Sequence, residues 1–274
     1  MKEKRWFRVL VLVSAAFLVI LAVLGPELLS RYRDRFFLNR ITLEESPDSG
    51  TGYRYTMSSN EKLYLLAECL SHQVLPESEL SALTRAEDAA YKDLVGSYAF
   101  VVNRQGPSGE EITEEEIFAV CSRELKTLQE LGILPGTVQE VQREAYSAVL
   151  YSAIDVLEPQ NNLAVWKVSL STSQQNADKA NRLIDAYIDA DSGKIYSFYA
   201  RTEKTWAEAD PEAVCEAWSS YLGLSGREAY ETENPLLETA SYFVKYRFPG
   251  MEKGDTIVTL GFYEGINEWF LKLT

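Results

Sequence analysis

His72 is the single histidine in 274 residues, and that count bounds the chemistry the chain can perform. A helix carrying two zinc-binding histidines cannot form, and a Ser-His-Asp triad would have to use His72 alone. Its setting, Leu70-Ser71-His72-Gln73 at the end of an apolar helical pattern, reads as a cap or a solvated side chain. Gly223-Leu224-Ser225-Gly226 lacks the Gly-x-Ser-x-Gly spacing of a nucleophile elbow and follows a helical pattern, so it reads as a turn. There is no phosphate-cradling glycine loop and no Cys-x-x-Cys pair. Cys69, Cys121 and Cys215 are odd in number, widely spaced and each on a helical pattern. They read as small buried apolar side chains rather than a disulfide framework.

Carboxylates are the one abundant reactive type, 41 against 27 basic residues. Glu114, Glu115 and Glu116 sit where a helix should begin, and negative charge there complements the helix dipole. Asp185, Asp189 and Asp191 fall on or beside one hairpin, and strand alternation puts Asp185 and Asp189 on the same face. Calcium would need a fuller oxygen cage than these three supply. No residue is therefore assigned to catalysis, to a cofactor or to a metal. Sixteen tyrosines, most of them expected in the core, are enough to leave an exposed binding stripe as well.

The elements that must position these residues follow from periodicity. Ser58 with Glu61 is a capping box, backed by the stripe Leu63, Leu66, Ala67 and Leu70. Thr84 with Glu87 repeats the signature and opens a helix toward Val102, although Tyr98 to Val102 also fits a strand. Thr113 with Glu116 opens a third helix through Ile117, Val120, Cys121, Leu125 and Leu128, ended by Gly132 and Pro135-Gly136. The period then changes to two. Tyr146, Ala148 and Leu150, then Trp166, Val168 and Leu170, then Ile184, Ala186 and Ile188, then Lys194 to Tyr199 predict four antiparallel strands. Asp210-Pro211 caps another helix, through Val214, Cys215, Trp218 and Leu222 to Gly223. Three more strands follow at Tyr242 to Phe248, Ile257 to Tyr263 and Trp269 to Leu273.

Ahead of all this, eighteen uncharged residues run from Val9 to Pro26 between Lys2, Lys4, Arg5 and Arg8 on one side and Glu27 on the other. As a helix they would reach about 27 Å, close to the hydrocarbon thickness of a bilayer. The run exceeds a signal-peptide core and ends in Leu24-Gly25-Pro26-Glu27 without an Ala-x-Ala-like site, which favours an uncleaved anchor. Arg31, Arg33, Arg35 and Arg40 compete with the N-terminal basic cluster for the cytoplasmic side, but a long polar domain after a first anchor is usually exported. The expected localisation is the cell membrane, single-pass, with the N-terminus cytoplasmic and the C-terminal part extracytoplasmic. Beyond residue 30 the chain carries 23 basic and 39 acidic residues, an acidic balance that argues against nucleic acid as a partner. No Asn-x-Ser/Thr sequon occurs, so a bacterial membrane fits better than a eukaryotic secretory route.

The expected fold class is α+β: an N-terminal transmembrane helix, a helical segment, then two tandem modules of a helix on an antiparallel sheet. The expected divisions are a cytoplasmic tail over 1–8, the anchor over 9–29, a juxtamembrane linker over 30–57, the helical segment over 58–110, and α+β modules over 111–203 and 204–274. Trp166-Lys167-Val168 leading to Tyr187-Ile188-Asp189-Ala190-Asp191-Ser192-Gly193-Lys194-Ile195, behind an amphipathic helix, resembles the PepSY-type domain. The likeness covers about a third of the chain, and the second module lacks the Asp-x-Gly hairpin, offering Gly250 to Asp255 instead. The resemblance extends to bitopic Gram-positive membrane proteins that carry paired modules of this kind. It implies a noncatalytic, protein-binding module outside the membrane, one that modulates a sensor kinase or a peptidase. The expected function is thus a membrane-anchored extracytoplasmic interaction protein, with the bilayer through 9–29 and a membrane or envelope protein as partners. The alternatives are an envelope hydrolase with paired carboxylates and a ligand-binding sensor module.

Overall fold

The computed structural model describes residues 56–71, 98–109, 111–171, 180–232, 238–251 and 254–274. The tail, the anchor and the linker up to residue 55 lie outside the described residues, as do the helix expected from Thr84 and the imidazole of His72. Among the described residues no helix is long and apolar enough to cross a membrane.

Helix α1 (Ser59–Ser71) starts where its capping box places it. The Ser58 N–H donates to Glu61 Oε2 at 2.7 Å, and the Glu61 N–H donates to Ser58 Oγ at 3.3 Å. It buries more than its expected stripe: Leu65 and Cys69 are as deeply enclosed as Leu63, Leu66 and Ala67. A helix buried over more than half its circumference must be contacted from more than one side.

The strands supply those sides. Among the described residues nine antiparallel strands form one continuous sheet: β1 (Tyr98–Val102), β2 (Tyr146–Asp155), β3 (Asn162–Leu170), β4 (Arg182–Asp189), β5 (Ile195–Arg201), β6 (Glu228–Ala229), β7 (Tyr242–Pro249), β8 (Asp255–Tyr263) and β9 (Glu268–Leu273). Their spatial order is β1-β2-β3-β4-β5-β9-β8-β7-β6. Residues 98–102, within the segment expected to be helical, are thus an edge strand, and Tyr98 pairs with Asp155. The aromatic and β-branched run Tyr-Ala-Phe-Val-Val suits a pleated surface better than a helix.

Laid flat, the strands from β1 to β7 would span about 34 Å, yet the ring of Tyr64 on α1 meets both ends. It stands edge-on to Tyr98 on β1, centroids 6.1 Å apart, and fills the space where Gly250 and Gly254, in the turn after β7, lack a side chain. The sheet therefore curls around α1. Gly250 and Gly254 are required by this approach: a Cβ on either would lie within 2.4 Å of the Tyr64 side chain.

The outer face is covered by α2 (Ile117–Glu130) and α3 (Pro211–Leu222). Asp210 caps α3 by accepting from the N–H groups of Glu212 and Ala213, Pro211 occupies its first position, and Gly223 ends it at φ 74°. The helices are tied to each other and to the sheet. The Trp166 indole donates to the Ile112 carbonyl at 2.8 Å, and Trp218 of α3 stands edge-on to Phe248 of β7. Tyr221 of α3 donates to Glu124 of α2 at 2.9 Å while accepting from the Ile195 N–H at 2.9 Å.

Alternation fails at one place. Leu183 pairs with Ala200 and Asp185 with Tyr199, so Ile184 is an extra residue in β4. Leu183 is buried in its stead and Ile184 only half-buried, which reverses the inward and outward assignment expected for the start of this strand.

Candidate functional site

The hairpin aspartates divide between two environments. From Asp185 to Asp189 the strand alternates without interruption, so both carboxylates lie on the inner face, as their spacing predicts. Four residues of strand still separate them by about 13 Å, too far to share one cation. Asp189 is fully engaged. Its Oδ1 accepts from the Asp191 and Ser192 N–H groups at 2.8 and 3.2 Å, and its Oδ2 accepts from the Tyr196 hydroxyl at 2.7 Å and Lys62 Nζ at 3.2 Å. Asp191 reaches the same ammonium at 3.8 Å. Tyr196 is the extra residue at the second register shift of the β4–β5 pair, which is what lets its hydroxyl meet Asp189. Burial pushes the Asp189 carboxyl up, but Lys62, Tyr196 and the two backbone donors outweigh it and hold it below the ordinary carboxylate range. This is a clamp between α1 and the hairpin. Among the described residues no three His, Cys, Asp or Glu side chains are grouped to hold a metal ion.

The remaining sequence candidates resolve into local roles. Glu116 accepts from the Thr113 hydroxyl at 2.8 Å and the Thr113 N–H at 3.1 Å, which lowers its pKa, and Glu114 pairs with Arg143 at 3.4 Å. Ser225 is held by its backbone N–H on Asn60 Oδ1 at 3.1 Å, and the Leu224 N–H returns to the Ser219 carbonyl, so the stretch is a helix-ending turn. The three cysteines are free and buried, and burial raises the Cys69 thiol to about 12, the Cys215 thiol to about 11, and the Cys121 thiol furthest.

What the sequence did not single out is a cavity of 420 Å³ on the inner face, beside the C-terminal end of α1. Its floor is supplied by three neighbouring strands: Asp185 and Tyr187 from β4, Ser197 and Tyr199 from β5, and Lys272 from β9, with Leu70 of α1 at one side. Asp185 Oδ1 is buried and has no hydrogen-bond partner. Burial, only partly offset by Lys167 and reinforced by Glu268, raises its pKa above the ordinary carboxylate range. Lys167 itself stands 5.3 Å from the centre of the Tyr187 ring.

The cavity lies within an aromatic band that crosses the inner face. Phe100 stacks on Tyr151 at 4.5 Å and meets Tyr187 edge-on at 6.0 Å; farther along, Phe270 lies between Tyr199 at 5.4 Å and Tyr263 at 4.9 Å. All but Phe270 are half-buried. Two signals pointed here: the surplus of tyrosines, and the period-two placement of Asp185, Tyr187, Ser197 and Tyr199. What hid the site was β9, because only the pairing of Phe198 with Leu271 brings Lys272 beside Ser197.

We found no match between this chain and any protein-family model, any curated protein or any solved structure.

Proposed function

We propose that this protein is a membrane-anchored extracytoplasmic interaction or regulatory protein, noncatalytic, that modulates a neighbouring membrane or envelope protein such as a sensor kinase or peptidase. The observation that carries the reading is the uncharged run Val9 to Pro26 with basic residues before it, followed by a domain far too large and acidic to be an accessory of the anchor. On this reading the protein belongs with the PepSY-like bitopic proteins of Gram-positive bacteria, and residues 111–203 and 204–274 are two tandem modules. Support for tandem modules comes from the order of elements: α2 precedes β2 to β5, α3 precedes β7 to β9, and the two groups join edge to edge through β5 and β9. Tethering contributes to the function directly, because it raises the effective concentration of a weak binding surface next to a membrane partner without adding a contact.

The test combines topology with capture. The full chain should resist alkaline extraction from membranes, and protease added outside intact cells with the wall removed should digest residues beyond 30. Photocrosslinkers on the exposed strand residues Val101 and Val149 should then give one discrete membrane-protein adduct. Release by alkali, protection from outside protease, or substrate turnover by the chain without any adduct would each end the proposal.

A further inference from the structure

We propose that the inner-face cavity beside α1 binds a short zwitterion of about dipeptide size, its ammonium on Asp185 and its carboxylate on Lys272. This goes beyond the interaction role and stands independently of it.

The buried carboxylates of the described residues are hydrogen-bonded or ion-paired. Asp189 accepts four hydrogen bonds, Asp155 accepts from the Leu157 and Glu158 N–H groups, Glu111 Oε2 accepts from the Ser108 N–H at 2.7 Å, and Glu268 pairs with Arg201 at 3.0 Å. Asp185 Oδ1 is buried without a hydrogen-bond partner at the wall of a cavity. A buried acceptor left unsatisfied costs stability, so a protein that keeps one at a cavity wall has placed it for something that enters. The natural complement of that oxygen is an N–H or ammonium donor.

A simple cation is not the best fit, because the opposite wall carries an ammonium. Lys272 makes no ion pair with any described residue, and it extends from β9, the second strand over from Asp185. Asp185 is in register with Tyr199 and Phe270, whereas Lys272 is in register with Ser197, so two strand spacings and a two-residue offset put their backbones about 12 Å apart. An extended dipeptide, about 7 Å from end to end, bridges that gap with the added reach of the aspartate and lysine side chains. Between the two charges the cavity offers the rings of Tyr187 and Tyr199 as flat walls and the Ser197 hydroxyl as a further polar contact. A volume of 420 Å³ falls in the range of small-molecule sites and is too small for a folded partner's loop.

The experiment uses the full chain in detergent micelles and three probes: alanylalanine, its N-acetyl derivative and its C-terminal amide, each titrated by calorimetry. Alanylalanine should bind saturably, and each blocked form should bind at least tenfold more weakly. Asp185→Asn should remove the discrimination against the acetylated probe, and Lys272→Gln the discrimination against the amide. Lys272 is exposed, so its variant folds whatever becomes of the other. No saturation up to about 10 mM, where affinity falls below the useful range, would overturn the proposal, as would binding that ignores both caps or both substitutions. Neither result bears on membrane topology or on crosslinking to a partner.

Discussion

Lys62 on α1 reaches Asp189 at the end of β4, Nζ to Oδ2 at 3.2 Å, across 127 positions of sequence. The aspartate is buried and the lysine about one quarter exposed, so this pair is better shielded than a surface ion pair. Lys62→Met should destabilise the fold by about 1 to 2 kcal/mol, since Asp189 keeps its three other donors. The Asp189 carboxyl titrates below its unfolded value, so its contribution is present above the ordinary aspartate range and is lost as pH falls through and below about 4. Urea unfolding at a series of pH values should therefore show a shallower acid loss in Lys62→Met than in the parent. Equal slopes would remove Lys62 from the cause.

Asp185 has the opposite sign. Its carboxyl titrates above the unfolded value, so it favours folding below the ordinary aspartate range and opposes it as pH rises. Asp185→Asn should raise stability at pH 7 by about 1 kcal/mol, and that gain should vanish below pH 4. A variant that is more stable and yet loses a ligand is the signature of a residue kept for binding.

Gly261 of β8 lies under Phe270 of β9, and a Cβ there would stand 2.3 Å from the ring. The ring cannot tilt away freely, because it is stacked between Tyr199 and Tyr263. Gly261→Ala should cost about 1 to 3 kcal/mol through this overpacking. Adding Phe270→Leu should return part of the loss, and a double-mutant cycle with no coupling would contradict the contact.

The thiols of Cys69, Cys121 and Cys215 are buried and shifted up, and the thiolate is the reactive form. Ellman's reagent should find almost no reactive thiol in the native chain at pH 8 and three after denaturation. The slow native reaction should follow the unfolding rate. Rapid native labelling at any one of them would mean a looser element than its burial implies.

Much of the fold was legible because its signals are local. The caps at Ser58 and Asp210, the Gly223 stop and the alternation along β2, β3 and β7 all lie within a few residues of what they determine. The inner face was not legible, for physical reasons that name themselves. The bulge at Ile184 leaves no trace in a pattern of apolar residues, because leucine and isoleucine simply exchange sides. The curl of the sheet depends on Tyr64 meeting Tyr98 and the glycines of a distant turn, which no local period encodes. The cavity depends on β9 inserting between β5 and β8, and pairing across so long an interval has no signature in one sequence.

That same insertion fixes an order of events during synthesis. Arg201 of β5 waits 67 residues for Glu268. At ribosomal speeds this is roughly 3 to 13 seconds during which β5 presents an open edge. An unpaired edge of this kind is an invitation to mispair with another nascent chain. The two halves of the sheet are therefore each incomplete until Glu268–Leu273 arrives and serves both at once. Truncations that spare every helix but remove β9 should thus yield aggregation rather than a smaller folded protein.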